Sequence, residues 1–160
     1  MSGVAVAGVG NAYRRDDGAG VAFAALFAAE VAEVRDLGPI AEPLDLVGRL
    51  DGVDTLVLAD AARTGAGAGR VLVCELTLDE AGDSLPGRAD AAAATSTHGI
   101  GLERALALAA VLGRAPRRVV LVAIEGESFG DGDGLSAAVA AGISSAIPRV
   151  RRLIGGRPGV

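Results

Sequence analysis

Four side chains of this sequence carry the chemistry worth weighing: the adjacent aspartates Asp16 and Asp17, a third aspartate at Asp60, and the sole histidine, His98. An aspartate just before a helix caps free backbone amides and complements the helix dipole. One aspartate does that work, and two neighbours point in different directions. We therefore read Asp16 as the cap and Asp17 as the group facing a cleft. Asp60 ends the apolar run LVLADAA, where a carboxylate is costly to desolvate without a cation or donors nearby. Capping of the following turn is the plain alternative. His98 stands in TSTHGIGLERAL, at a helix entrance, where a lone histidine is more often a surface or capping residue than a ligand. Thr95, Ser96 and Thr97 read as helix-entry residues. Taken together, one imidazole nitrogen and two carboxylates suit a borderline divalent metal such as nickel or zinc, with open positions for other ligands.

The loop holding the aspartate pair, GVGNAYRRDDGAG over residues 8–20, also raises the question of phosphate. Gly8 and Gly10 fit the start of G-x-G-x-x-G, but Tyr13 stands where the third glycine must let helix and strand pack closely. Two carboxylates at the helix entrance oppose a pyrophosphate. No Walker sequence, HExxH helix or G-x-S-x-G elbow occurs. Asn11 reads as a turn former or a donor to a carbonyl.

The elements that must position these residues alternate in type. Residues 4–9, 34–37, 55–59, 70–76 and 119–124 have the length and apolar content of strands, and 20–31, 44–50, 101–112 and 135–154 read as helices. Pro148 is expected to bend or break the last of these. Residues 77–98 read as a long loop and 126–134 as a second, flexible one. Strands buried on both faces and interleaved with helices predict an α/β fold of three αβα layers, a mainly parallel twisted sheet flanked by helices. Ligands in such sheets collect at the carboxyl ends of strands. That rule gathers the 11–18 loop, Asp60, the 126–134 loop and His98 at one cleft.

Composition bounds the rest. The 160 residues fit a single domain, 1–160, with one sizeable core. Hydrophobic residues make up 51%, so the chain folds rather than stays disordered. A net charge of −5 with four aromatics gives no electrostatic or stacking reason to expect nucleic acid or an anionic membrane. All fifteen basic residues are arginine, which excludes Schiff-base and Walker-lysine chemistry. Cys74, the one cysteine, sits in VLVC and reads as a buried structural thiol. No run is long enough to span a membrane and no signal peptide is legible, so a cytoplasmic location is expected. No coiled-coil pattern or apolar patch is legible, so the oligomeric state is open and a monomer is compatible with the sequence.

Four stretches in register, GVGNAYRRDDGAG, LVLADAA, STHGIGL and VAIEGESFGDGDGLSAAV, resemble the hydrogenase maturation proteases over roughly residues 3–155. These nickel-dependent endopeptidases remove the C-terminal extension from the large-subunit precursor of [NiFe] hydrogenases. The resemblance implies a metal-dependent, aspartic-type endopeptidase whose metal contacts and catalytic residues fall on Asp17, Asp60 and His98. It implies that nickel arrives on the precursor rather than as a resident cofactor, with zinc or cadmium able to substitute in vitro. Where the family carries Glu or Asp as first ligand, this chain has Asp17, shorter by about 1.5 Å than Glu. Residues 36–39, DLGP, depart from the Asp-Gly-Gly-Thr of many members. The resemblance leaves open whether the metal polarises the scissile carbonyl or activates a water, or whether an aspartate acts as base. A non-cleaving docking or metal-sensing module for a nickel-loaded partner is the rival from another class, and a flavodoxin-like nucleotide binder a third.

Overall fold

The computed structural model describes residues 3–76 and 99–155. Five strands form one sheet: β1 (Val4–Val9), β2 (Arg35–Ile40), β3 (Thr55–Ala62), β4 (Val71–Leu76) and β5 (Arg118–Glu125). Their spatial order is β2-β1-β3-β5-β4. Neighbours are parallel except β4, which runs antiparallel to β5 at one edge. Among the described residues three helices, α1 (Ala19–Glu30), α2 (Gly99–Val111) and α3 (Ala137–Gly155), join two short 3-10 helices, Arg15–Gly18 and Pro43–Arg49.

Period-two alternation in the central strands divides the core into two halves. Ala5, Ala7, Leu56, Leu58, Val119 and Leu121 face Leu46 and Leu50 of the second 3-10 helix and Leu102, Ala105 and Leu106 of α2. Val6, Val57, Ala59, Val120, Val122 and Ile124 face Phe23 and Phe27 of α1 and Val139, Ile143 and Ile147 of α3. Phe23 and Phe27 stack one helical turn apart with centroids 5.5 Å from each other. Both faces being covered, the central strands are apolar along most of their length, as a parallel sheet requires. The three-layer expectation is met.

Several details differ from the sequence reading, each for a local reason. Edge strand β2 extends through Gly38 and Pro39 to Ile40 instead of ending at residue 37. Proline is tolerated there because an edge strand has one side free of ladder bonds. Strand β3 runs two residues past Asp60, so that carboxylate lies within the strand. The 44–50 segment is a 3-10 helix with Pro43 in its first turn. α3 continues unbroken through Pro148. Cys74 is half-buried against the α2-side core rather than fully enclosed.

Candidate active site

Four strands of the sheet run in one direction, and the connections leaving their carboxyl ends converge. Close backbone approach makes this possible. Gly10 has φ +131°, and a Cβ there would lie 2.1 Å from the Asp17 carbonyl oxygen. A Cβ on Gly20, in the first turn of α1, would lie 2.3 Å from the Ala59 oxygen and 2.9 Å from the Asp60 Cα. The loop after β1 therefore folds back on itself and rests on β3 beside Asp60. That placement follows from glycine spacing in the sequence.

Asp17 is half-buried. Its Oδ2 accepts the Asn11 amide at 2.9 Å, while Asn11 Oδ1 accepts the Tyr13 amide at 2.9 Å. Asn11 is thus a turn former whose own N–H orients the carboxylate. Oδ1 of Asp17 takes no hydrogen bond from the described residues and is available to an incoming ligand. Asp60 is 2% exposed, and its Oδ1 accepts the Ala61 amide at 2.8 Å. In the strand alternation Asp60 shares the face of Leu56 and Leu58, the α2 side. α2 enters at the same edge: its Gly101 packs on Pro43, three residues past the end of β2. His98 lies outside the described residues, as does the whole 77–98 segment. Among the described residues no three His, Cys, Asp or Glu side chains form a metal-holding group.

Asp16 is not a helix cap. α1 has no side-chain cap, and Gly18 occupies the position before it. Instead the fully buried Asp16 carboxylate accepts the amides of Glu127, Ser128 and Ser136 at 2.8, 2.9 and 2.8 Å, and the Ser136 hydroxyl at 2.6 Å. Burial pushes its pKa up, but the Ser136 hydroxyl and the three amides outweigh burial and leave it below the ordinary carboxylate value. Backbone bonds reinforce the clamp: Asp16 N–H to Ser128 O, Arg15 N–H to Gly132 O, and Gly132 N–H to Tyr13 O. The 126–134 segment, expected to be flexible, is tied along its length to the loop bearing Asp17.

Glu125, which the sequence reading did not single out, is a second clamp. Buried at the end of β5, it accepts the amides of Thr64, Gly65 and Ala66 and the Thr64 hydroxyl. The loop after β3 is thereby fixed, and its Arg63 guanidinium lies 4.1 Å from the Phe129 ring centroid. The available signal was a carboxylate ending an apolar strand, the same signal that Asp60 gives.

The profile of the hydrogenase maturation proteases matches residues 26–152. The chain belongs to the hydrogenase maturation protease family. No curated protein sequence matches it significantly. Among solved structures it is similar to the hydrogenase maturating endopeptidase HybD from E. coli, at 24% identity and TM-score 0.75 over 95% of this chain and 91% of that one. The [NiFe] hydrogenase maturation protease HybD from Thermococcus kodakarensis aligns at 23% identity and TM-score 0.75, covering 94% and 98%. A hydrogenase 2 maturation peptidase from a Thaumarchaeota archaeon aligns at 26% identity and TM-score 0.65, covering 96% and 98%. Membership makes the protein a hydrolase of hydrogenase maturation. Among the described residues no helix is long and apolar enough to cross a membrane.

Proposed function

We propose that the protein is the endopeptidase that removes the C-terminal extension from a nickel-loaded [NiFe] hydrogenase large-subunit precursor. One observation supports this beyond family membership: the first turn of α1, which follows the Asp17 loop, rests through Gly20 on the backbone of Ala59 and the buried Asp60, and Asp17 keeps one oxygen free of hydrogen bonds to the described residues. A buried carboxylate with a second one on the neighbouring loop favours a cation close by. Nickel is in this reading part of the substrate.

Asp17 and Asp60 contact the ion, and His98 is the third contact, assigned from the family resemblance. Nickel so held supplies Lewis acidity at the scissile peptide. The chain's own part is positional. The Asn11 amide fixes Asp17 Oδ2, the Ala61 amide orients Asp60, and Gly20 seats the first turn of α1 on the backbone of Ala59 and Asp60. Asp17 Oδ1, free of hydrogen bonds to the described residues, is the oxygen placed to take the ion or a proton from the attacking water.

The test is the intact mass of the precursor after incubation with this protein, with nickel-loaded and nickel-free precursor in parallel. Release of a C-terminal peptide from the loaded form alone is expected. Stable binding of loaded precursor with no mass change would replace the protease reading with that of a docking module.

A further inference from the structure

Asp60 has neighbours across the sheet on its own face. The register pairs it with Ala123 of β5, and Ala123 in turn with Leu72 of β4. Directly opposed residues present their side chains to one face, and adjacent strands lie about 4.8 Å apart. Leu72 therefore stands about 10 Å from Asp60, two strand spacings, with only the methyl group of Ala123 in the row between them. Leu72 is 48% exposed. Ala123 and Leu72 line a cavity of about 1010 Å³ whose wall also includes Arg70, Ser145 and Arg149. The two guanidinium groups are carried on elements that touch. Arg149 Nη1 donates to the carbonyl of Val71, the residue after Arg70, at 3.3 Å. Gly142, two turns before Arg149 on α3, packs on the connection leading to Arg70: a Cβ there would lie 2.1 Å from the Gly69 oxygen. Both arginines are exposed, and the Arg70 side chain makes no hydrogen bond or ion pair with the described residues.

One carboxylate lies in this wall, Glu125, and the amides of Thr64, Gly65 and Ala66 with the Thr64 hydroxyl already saturate it. The cavity thus holds an excess of positive charge in a chain whose net charge is −5. Paired guanidinium groups suit a carboxylate, which they bind through parallel N–H donors. We infer that this cavity is the groove for the C-terminal extension of the precursor. An apolar side chain within about three residues of the scissile bond rests on Ala123 and Leu72, and a carboxylate of the extension is bound by Arg70 and Arg149. The extension is the part of the precursor with a free chain end, so it brings at least one carboxylate whatever its sequence. The inference rests on the proposed protease reading and adds where the segment to be removed is held, and by what chemistry.

The experiment titrates a synthetic peptide with the sequence of the extension against the wild-type protein, Leu72→Ser, the double variant Arg70→Gln/Arg149→Gln and the control Arg117→Gln/Arg151→Gln. The control removes the same charge from two exposed arginines outside the cavity wall. Processing of nickel-loaded precursor is measured alongside. The double variant is expected to bind the peptide about tenfold more weakly and to raise KM by the same factor with kcat held, the scale of two exposed charge pairs. Leu72→Ser weakens binding about fivefold, as for a leucine half covered by its ligand, and the control matches wild type. Two further peptides identify the carboxylate: amidating the C-terminus abolishes the arginine effect if the terminal group is bound, and exchanging the peptide's Asp and Glu for Asn and Gln abolishes it if a side chain is. Either result supports the groove. Equal peptide affinity and equal KM for the double variant and the control overturn the groove while leaving the protease reading intact. Peptide bound as expected beside a loaded precursor that stays uncut overturns the protease reading and leaves the cavity a site for a carboxylate-bearing peptide.

Discussion

Of the two adjacent aspartates, each does a different job, and substitution separates them. Asp17→Asn keeps shape and the Asn11 contact's geometry while removing the charge that an ion or a proton needs. The processing rate is expected to fall by about 100-fold or more, with the melting temperature little changed. Loss of fold in place of loss of rate would assign Asp17 a structural role. Asp16→Ala strands three buried amides and a hydroxyl, and is expected to destabilise the fold by about 3 kcal/mol, read from the denaturation midpoint. The pH dependence follows from the sign of the Asp16 shift. Its folded pKa is depressed, so its contribution is complete above the unfolded value of about 3.9 and is lost as pH falls through the lower folded value. The gap in urea midpoint between wild type and Asp16→Asn is therefore constant from pH 5 to pH 7 and narrows below about pH 4. A gap that widens in acid would contradict the clamp. Sequence alone assigned this residue wrongly because capping is a local rule, whereas the partners of Asp16 lie 111 to 120 residues away. Nothing in RRDD records a contact at that separation.

Elements whose pattern is self-contained were legible, and those set by neighbours were not. Strands β1, β3 and β5 are apolar on both faces, so their existence, parallel setting and shared carboxyl edge followed from composition. That edge also underlies the proposal that Asp17 and Asp60 act together. Strand β2 was cut short because Gly38 and Pro39 read as breakers unless the strand is known to lie at the sheet margin. The 126–134 loop read as mobile because its Gly and Asp content is that of a free turn, while its order comes from the Asp16 carboxylate. The contact that matters most at this scale is α1 on β3. Gly20→Ala would place a methyl 2.3 Å from the Ala59 oxygen, which backbone cannot yield without displacing the helix. A loss of about 1–3 kcal/mol is expected from such overpacking, together with reduced processing because Asp60 moves with its backbone. A Gly20→Ala protein with unchanged thermal stability would mean that α1 does not rest on β3 this closely.

Across the whole molecule the two core halves share their central strands. Residues of β1, β3 and β5 alternate between the α2 side and the α1/α3 side, so Val57 belongs to one half and its neighbours Leu56 and Leu58 to the other. Neither helical layer can leave without exposing an apolar face of strands that the other layer still needs. The buried clamps add to this coupling: Asp16 joins the loop after β1 to the loop after β5, and Glu125 joins β5 to the loop after β3. We therefore expect residues 1–160 to behave as one domain and to unfold in a single cooperative step. Calorimetry checks this directly through the ratio of calorimetric to van't Hoff enthalpy, which is near one for a two-state transition. Tryptophan is absent, so far-ultraviolet circular dichroism and the near-ultraviolet signal of Tyr13 serve as the independent probes. Tyr13 reports the carboxyl-edge loops, whereas the far-ultraviolet signal reports the layers. Coincident transitions mean that the edge is held by the same cooperative unit as the core. An earlier transition at Tyr13 would mean that the clamped loops open while the sheet stands, and that the site is assembled separately from the fold that carries it.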